Sequence, residues 1–289
     1  MSLVIFMKTT VTFRDGSEIT TEWFPAENTP RATVICLPAM GVRASYYRQF
    51  AEALQQQHFT AITADWRGHG TSTIRPSRTV DFGYETLVED LRELIQSIKQ
   101  ATSGDTPIII AGHSLGGQIA SLFAARFPDE IDGIFSIASC LVHYQGWDGW
   151  KAQRVRLAGH LFYPLSKLLG FFPGHIIGFG GKEARTIMYD WCYNLLYGSY
   201  RPAGSLFDYE AALRRAQLPI LALSLEGDDF APQRAVQNLC DKFASNTAVS
   251  HRHLSASQTG LADNPHFSWA KQPAPLIAIF SDWLAQRPQ

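Results

Sequence analysis

What this sequence lacks excludes several classes of protein. It has no His-Glu-x-x-His zinc motif, no Walker phosphate loop and no Gly-x-Gly-x-x-Gly after its first buried strand. The motifs of common metal and nucleotide sites are therefore missing, and we expect neither a bound metal nor a cofactor. The formal net charge is only −1, so no overall field favours nucleic acid or an anionic membrane surface.

Cysteine is also scarce. The sequence has only four cysteines, and their scattered positions lack the close spacing of a zinc site. We interpret Cys36, Cys140, Cys192 and Cys240 as free, buried thiols in a reducing compartment. The apolar run at the start of the sequence ends at Lys8, which makes it too short for a signal peptide or a membrane span. We therefore expect a cytoplasmic protein without membrane insertion.

Hydrophobic residues make up 46 % of the 289 residues, which suits one large α/β domain with an insertion. Two β-rich runs within Thr9–Phe24 predict a hairpin that turns at Arg14–Ser17. From Ala32 onward, short apolar runs alternate with helical patterns. The predicted strands after the hairpin are Thr33–Leu37, Thr60–Ala64, the run from Ile108, Ile131–Ala138, Ile220–Leu225 and Val249–Leu254. This alternation predicts a mostly parallel, doubly wound sheet.

The helical segments between these strands are amphipathic. The longest has apolar residues on one face and charged residues, Asp90 among them, largely on the other. Its apolar positions are Tyr84, Leu87, Leu91, Leu94 and Ile98. Ser45 is expected to cap the first helix.

The alternation stops between residues 141 and 207, which we interpret as an inserted, mainly helical cap. The chain is thus divided into a core of residues 1–140 and 208–289 and a cap of residues 141–207. Fourteen of these 67 residues are aromatic, about 21 % against 12 % in the whole chain. Most of them are expected to form the core of the cap, and a few to line an apolar cleft.

The most informative stretch is Ile108–Gly117, an apolar run followed at once by Gly-x-Ser-x-Gly and a helical pattern. A nucleophile elbow needs this context, because its serine sits on a sharp, strained turn between a buried strand and a helix. Gly112 and Gly116 lack Cβ, so backbone segments can approach closely there. We therefore predict Ser114 as a nucleophile at a helix N-terminus. The alternative is an ordinary glycine-rich turn with an incidental serine.

A serine hydroxyl needs a base to take its proton, and the base needs a carboxylate to orient it. In this architecture the acid and then the histidine follow the serine along the chain, on loops after later strands. Asp228 comes soon after the predicted strand Ile220–Leu225 and is the preferred acid. Asp229 is the substitute, and Glu226 is a less favoured alternative.

His266 is the predicted base, because it follows the last predicted strand and precedes the terminal helix. His251 and His253 alternate along a strand, so they point to the same side and are interpreted as structural or solvent-facing. His113 is the variable residue of the elbow. His69 precedes the serine, so it breaks the chain order.

The loop Asp65–Ser72, which contains His69, is interpreted as a structural turn. Asp65 and Arg67 are expected to brace the neighbouring loops.

An oxyanion hole needs two N–H donors aimed at the tetrahedral intermediate. The N–H of Leu115, directly after the nucleophile, is one predicted donor. The other is expected from the loop at residues 37–41, after the first central strand. We choose the N–H of Met40, with Gly41 giving the loop its conformational freedom.

Together these motifs resemble the α/β-hydrolase superfamily. The sequence carries Gly-His-Ser-Leu-Gly-Gly, Asp-x-Arg-Gly-His-Gly-x-Ser, a Gly-Asp-Asp…Pro acid turn and a late His-Phe before the last helix. Leu-Pro-Ala-Met-Gly followed by Ser-Tyr-Tyr, with Glu-Gly-Asp-x-Phe-Ala-Pro, is similar to a group of bacterial predicted α/β-hydrolases of uncertain substrate. The resemblance implies an α/β-hydrolase fold and a triad of Ser114, Asp228 and His266. Pro38-Ala-Met in place of the commoner His-Gly, and Pro265 in place of the usual Gly, depart from the family pattern.

The sequence therefore predicts a serine hydrolase that cleaves an ester or thioester of a small-to-medium apolar acyl group. The expected partner is a small-molecule acyl substrate, with no nucleic acid. Acyl transfer and carbon–carbon bond hydrolysis on the same scaffold are alternatives. A binding protein that kept the scaffold without catalysis is a third.

Overall fold

The predicted strands are present in the computed structural model, which describes residues 6–102, 106–244, 248–261 and 263–286. Residues 1–5, which begin the apolar opening run, lie outside this description. The strands of the main sheet are β1 Met7–Thr12, β2 Glu18–Phe24, β3 Thr33–Leu37, β4 Thr60–Ala64, β5 Ile108–His113 and β6 Gly133–Ile137, with Ile220–Leu225 and Val249–Leu254 following later in the chain. Four predicted strands have the observed bounds. The strand predicted as Ile131–Ala138 is shorter at both ends. At its C-terminal end, Ala138 has a φ of 46° and leaves the extended conformation.

Two further strands form a small antiparallel sheet of their own, β7 Phe171–Pro173 and β8 Lys182–Ala184. The last strands of the main sheet are then β9 Ile220–Leu225 and β10 Val249–Leu254. The main sheet has the order β1-β2-β4-β3-β5-β6-β9-β10. All neighbours from β4 to β10 pair in parallel, and β2 pairs antiparallel with both β1 and β4. The predicted hairpin and the mostly parallel sheet are confirmed.

Helices lie between the parallel strands and after the last of them. They are α1 Arg48–Gln56, α2 Tyr84–Ala101, α3 Leu115–Arg126, α4 Gly149–Leu169, α5 Gly174–Ile177, α6 Arg185–Tyr197, α7 Tyr209–Arg215, α8 Gln233–Cys240, α9 Ala256–Thr259, α10 Pro265–Ser268 and α11 Ala274–Ala285. Helix α1 contacts α11, whereas α3 contacts α2 and α7. The five apolar positions predicted for α2 are all buried. No helix within the described part of the chain has the length and apolarity needed to cross a bilayer.

One local prediction is wrong. Ser45 does not cap α1, because it lies inside a 3₁₀ turn at Ala44–Tyr47 that runs directly into the helix. Asp90, which the pattern placed largely off the apolar face of α2, is buried there, and its carboxylate accepts two bonds from Arg67, at 2.7 and 2.6 Å. An ion pair between distant segments leaves no trace in the periodicity of a helix.

The loop after β4 is a braced turn, as predicted. Asp65 accepts the N–H groups of Ala44 and Thr71, each at 2.8 Å. Arg67 also pairs with Asp15 in the β1–β2 turn. Through Asp15, Ala44 and Asp90 the loop is tied to three other segments of the core.

The segment of residues 141–207 holds α4, the β7–β8 sheet, α5 and α6 between β6 and α7. Helices α4 and α6 pack against each other, and α4 also packs against β7. The small sheet was not expected, because three-residue strands are too short to produce an alternating pattern. The division into a core and a cap remains a proposal, and residues 141–207 are called the insertion below.

Candidate active site

Ser114 lies at the turn between β5 and α3, with φ 51° and ψ −112°. Residues other than glycine rarely adopt this backbone conformation, and such strain is typical of functional sites. A β-carbon at Gly116 would lie 2.3 Å from the Leu37 carbonyl oxygen, and one at Gly112 would lie 2.5 Å from the Gly117 nitrogen. Both glycines are therefore required for the close backbone approach that the motif predicted.

The predicted acid and base are in direct contact. His266 Nδ1 lies 2.8 Å from Asp228 Oδ2, and both side chains are buried. Asp228 Oδ1 accepts the N–H groups of Phe230 and Ala231, at 2.8 and 2.9 Å, so the carboxylate is held in one orientation. A neutral imidazole that donates from Nδ1 to this carboxylate has its acceptor at Nε2.

The two alternative acids have other partners. The Asp229 carboxylate pairs with Lys151 at 2.7 Å, at the surface. Glu226 Oε2 accepts the N–H of Ala256 at 2.7 Å. The structure therefore brings Asp228, the preferred acid, to His266.

Three other histidines have polar partners away from the elbow. His251 Nε2 and His253 Nδ1 lie 2.8 and 2.9 Å from Ser224 Oγ, so the two side chains do point to the same side. His69 Nε2 lies 2.9 Å from Glu183 Oε2, which belongs to the insertion. Across the described ranges, no three His, Cys, Asp or Glu side chains are grouped so as to hold a metal ion. All four cysteines are buried with free thiols.

The predicted oxyanion loop lies beside the serine. Met40 and Leu115 line the same cavity as Ser114. The N–H of Ala39 donates to Tyr47 Oη at 3.0 Å, so it is already engaged. The N–H of Met40 is the next donor along the loop.

His113 is a residue whose role the sequence did not indicate. Tyr47 Oη lies 2.7 Å from His113 Nδ1, and the His113 ring lies 4.8 Å from the ring of His266. Burial, together with the neighbouring His266, holds the pKa of His113 well below its usual value. A neutral His113 therefore supports the His266 ring on one side and the oxyanion loop, through Tyr47, on the other. Its position directly before the nucleophile was the only signal.

Two adjoining cavities form one cleft above the elbow. A cavity of about 120 Å³ is lined by Ser114, His266, Met40 and Leu115 among others. A second, of about 430 Å³, extends along α4. The two share the following lining residues: Val142, Phe179, Trp191 and Phe230. Two of these, Phe179 and Trp191, are aromatic residues of the insertion, so a few of its aromatic side chains do line an apolar cleft.

Comparison with known families gives a match over just under half of the chain. The family described as serine aminopeptidase, S33, matches residues 28–169. The matched range includes Met40 and Ser114 and ends with α4, whereas Asp228 and His266 lie beyond it.

Similar curated proteins include lipases of monoacylglycerols. Monoglyceride lipase of Rattus norvegicus is 26 % identical over 128 residues, which is 44 % of this chain and 41 % of that protein. Monoacylglycerol lipase of Mycolicibacterium smegmatis is 31 % identical over 108 residues, 37 % of this chain and 37 % of that protein. The chain therefore matches about two fifths of the length of these curated relatives.

Similar solved structures extend over nearly the whole chain. An esterase from Exiguobacterium antarcticum has a TM-score of 0.64 at 14 % identity, covering 97 % of this chain and 100 % of that chain. The Pyrococcus furiosus esterase Pf2001 has a TM-score of 0.63 at 15 % identity, covering 98 % of this chain and 91 % of that chain. At such identities the likeness concerns the fold alone.

Proposed function

Because this chain has the α/β-hydrolase fold and matches the serine aminopeptidase, S33, family over residues 28–169, we propose that it is a serine hydrolase of the α/β-hydrolase superfamily. It cleaves an ester or thioester of a small-to-medium apolar acyl group by way of an acyl-enzyme. Ser114 is the nucleophile, His266 the general base and Asp228 the residue that orients it. The N–H groups of Met40 and Leu115 form the oxyanion hole.

The reaction proceeds in two halves. His266 Nε2 takes the proton of Ser114 Oγ as this oxygen attacks the carbonyl carbon, and the two N–H donors stabilise the resulting oxyanion. The intermediate collapses with cleavage of the bond to the alcohol or thiol, which leaves with the proton from His266. Water, deprotonated by His266, then attacks the acyl-serine, and the carboxylic acid and free Ser114 are released.

The observation that carries this proposal is the buried contact of 2.8 Å between His266 Nδ1 and Asp228 Oδ2. It fixes the tautomer in which Nε2 is a base, and His266 lines the same cavity as the strained Ser114. An imidazole that served only in packing would not need a buried carboxylate held by two backbone N–H groups.

The shape of the cleft supports the substrate class. The cavity of about 120 Å³ beside Ser114 suits a small acyl or alcohol portion, and the apolar cavity of about 430 Å³ suits a longer apolar portion. The names of the monoglyceride lipase relatives support a carboxylic ester. A cytoplasmic location, in keeping with four free thiols, is part of the same proposal.

A fluorophosphonate probe with intact-mass detection tests the nucleophile. We expect one adduct on the folded protein and none on Ser114→Ala, with peptide mapping to assign the adduct to Ser114. Ser139→Ala, which changes another serine near the elbow whose hydroxyl donates to the Ser114 carbonyl, should still be labelled. A folded wild-type protein without an adduct would contradict the proposal.

A panel of esters and thioesters of graded chain length then defines the reaction. We expect release of free acid, with kcat/KM falling for substrates too long for the cleft. The same assays with a competing alcohol separate hydrolysis from acyl transfer. Transfer that outruns hydrolysis would identify an acyltransferase with the same triad.

A further inference from the structure

The insertion touches the oxyanion loop backbone to backbone. The chain between β7 and β8 returns through Gly180 and Gly181, which lie directly against Gly41. A β-carbon at Gly41 would lie 2.2 Å from the Gly181 nitrogen and 2.3 Å from the Gly180 carbonyl carbon. The side chain of Met40 is the neighbour of Gly180, with its Sδ 3.3 Å from where a β-carbon would lie. No side chain separates the two segments, so a shift of one displaces the other.

Glu183, the middle residue of the return strand β8, holds this turn in place. Its side chain is only 3 % exposed. Oε1 accepts the N–H of Gly181 at 2.8 Å, and Oε2 lies 2.9 Å from His69 Nε2. One buried carboxylate therefore links the turn of the insertion to the braced loop of the core. A buried carboxylate is costly without such partners, so both bonds are needed for its burial.

The rest of the oxyanion loop is fixed by the core. Trp66 Nε1 donates to the Pro38 carbonyl at 2.8 Å, and Tyr47 accepts the N–H of Ala39 at 3.0 Å. The N–H of Ala44 donates to the Asp65 carboxylate at 2.8 Å. The two ends of the loop are thus pinned by core side chains. The middle of the loop, which includes Met40 and Gly41, is in contact with Gly180 and Gly181 of the insertion.

We infer that Glu183, together with His69, is a positioning residue for the oxyanion hole: it keeps the Gly180–Gly181 turn behind Gly41, which sets the direction of the Met40 N–H. This inference rests on the proposed function. A small cavity of about 10 Å³ is lined by Gly41, Leu115, His69 and Glu183 among others. The Glu183–His69 contact therefore lies close to both proposed donors. Donors to a developing oxyanion must be oriented in advance, and loss of one donor costs about 10²–10³ in kcat.

Glu183→Ala tests the inference, because it removes both bonds without touching the triad. We expect kcat to fall about 10- to 100-fold, with KM changed less than about threefold, since ground-state binding does not use the oxyanion. Affinity for an alkyl boronic acid, which forms a tetrahedral adduct with the serine, should fall in parallel with kcat/KM. Glu183→Gln keeps an acceptor for Gly181 and a polar group for His69, so it should recover most of the activity.

Two further variants keep the test decisive. Gly181→Ala would place a β-carbon 2.8 Å from His69 Cε1, 3.1 Å from Gly41 Cα and 3.2 Å from Glu183 Oε1, which pushes the turn away from the loop without removing the carboxylate. It should show the same loss of kcat and of boronic acid affinity, and it substitutes for Glu183→Ala if that variant does not fold. Ile176→Ala changes a side chain in the same connection that is 75 % exposed, and should leave both constants unchanged.

The outcomes separate this inference from the proposed function. A wild-type protein that neither hydrolyses esters nor reacts with the fluorophosphonate overturns both. Hydrolysis by the wild type, with kcat and boronic acid affinity unaltered in folded Glu183→Ala and Gly181→Ala, overturns only the positioning role. Parallel loss of stability and of KM without a specific loss of boronic acid affinity would likewise show that Glu183 merely supports the insertion.

Discussion

The core and the insertion bury their apolar side chains in different ways. Every residue of β3, β4, β5, β6 and β9 is buried. In contrast, α4 is the longest helix but has only three buried residues, all of them small. Its Leu157, Leu161 and Leu168 side chains are exposed.

This difference in packing separates the residues that stabilise the fold from the residues that shape the substrate cleft. The core is packed around the central strands, so its residues determine whether the chain folds. The insertion meets the core through polar contacts, such as Glu183 with His69 and Asp190 with the start of α2. It also meets the core through apolar packing, because α6 contacts α2 and its Ile187 is buried in the same apolar cluster as the core strands. It also lines one side of the cleft. Changes in the core should therefore affect chemistry and stability, and changes in the cleft-lining side chains of the insertion should affect substrate preference. Glu183 and Asp190, which join the insertion to the core, are the exceptions.

The largest expected effect lies at the adjacent carboxylates Asp228 and Asp229, one facing the core and one facing α4. Asp228→Asn should lower kcat by about 10⁴, because the amide no longer favours the tautomer and charge that His266 needs. Asp229→Asn, which loses only the exposed pair with Lys151, should change kcat less than about twofold. Steady-state kinetics on one ester measure both. The reverse ranking would transfer the role of acid to Asp229.

A pair of leucines tests the difference in packing. Leu223→Ala in the fully buried strand β9 should lower the free energy of unfolding by about 2–5 kcal/mol, since it leaves a cavity. Leu157→Ala in α4, where the side chain is 56 % exposed, should change it by less than about 0.5 kcal/mol. Urea unfolding measures both. Equal losses would mean that the insertion is packed as tightly as the core.

Asp190 of α6 provides a pH-dependent link between the two regions. It accepts the N–H groups of Tyr84 and Ala203, each at 2.7 Å, and burial raises its pKa to about 7 despite these bonds. The folded chain therefore keeps this proton up to about pH 7, whereas the unfolded chain releases it near its ordinary value of 3.8. The stability contributed by the protonated form should be lost as pH rises between these values, by at most a few kcal/mol.

Urea unfolding of wild type and Asp190→Asn at pH 5 and pH 8 checks this link. The variant, which carries no titrating group there, should lose less stability than the wild type on going to pH 8. The same pH dependence in both proteins would show that Asp190 titrates normally.

The smallest expected effect concerns substrate length. Phe162 of α4 lines the larger cavity but not the one beside Ser114. Phe162→Ala should therefore raise the kcat/KM ratio of long to short esters by about tenfold, and leave the shortest ester unchanged. Leu161→Ala, a neighbour that is 55 % exposed, serves as the control. If kcat/KM changed by the same factor for every ester, the substitution would be acting on folding rather than on the cleft.

The sequence predicted the core well because burial on both faces produces unbroken apolar runs. Thr33–Leu37 and Ile220–Leu225 have the observed bounds for this reason. The elbow could also be predicted from the sequence, because close backbone contacts require glycine at positions 112 and 116. The elements of the insertion could not be predicted from the sequence, since its strands are three residues long and its longest helix is mostly exposed.

Composition and local pattern determined by themselves that this chain forms a parallel sheet with a strained serine at the end of a central strand, because sterics and periodicity act between near neighbours in sequence. The order of the residues along the chain further indicated an acid and a histidine as candidate partners of the serine. Only the tertiary structure decided which carboxylate meets His266, what stands behind Met40, and that Asp90 is buried. Those outcomes depend on contacts between segments tens to more than a hundred residues apart, and the free energy of such contacts is set by three-dimensional burial that no local pattern encodes.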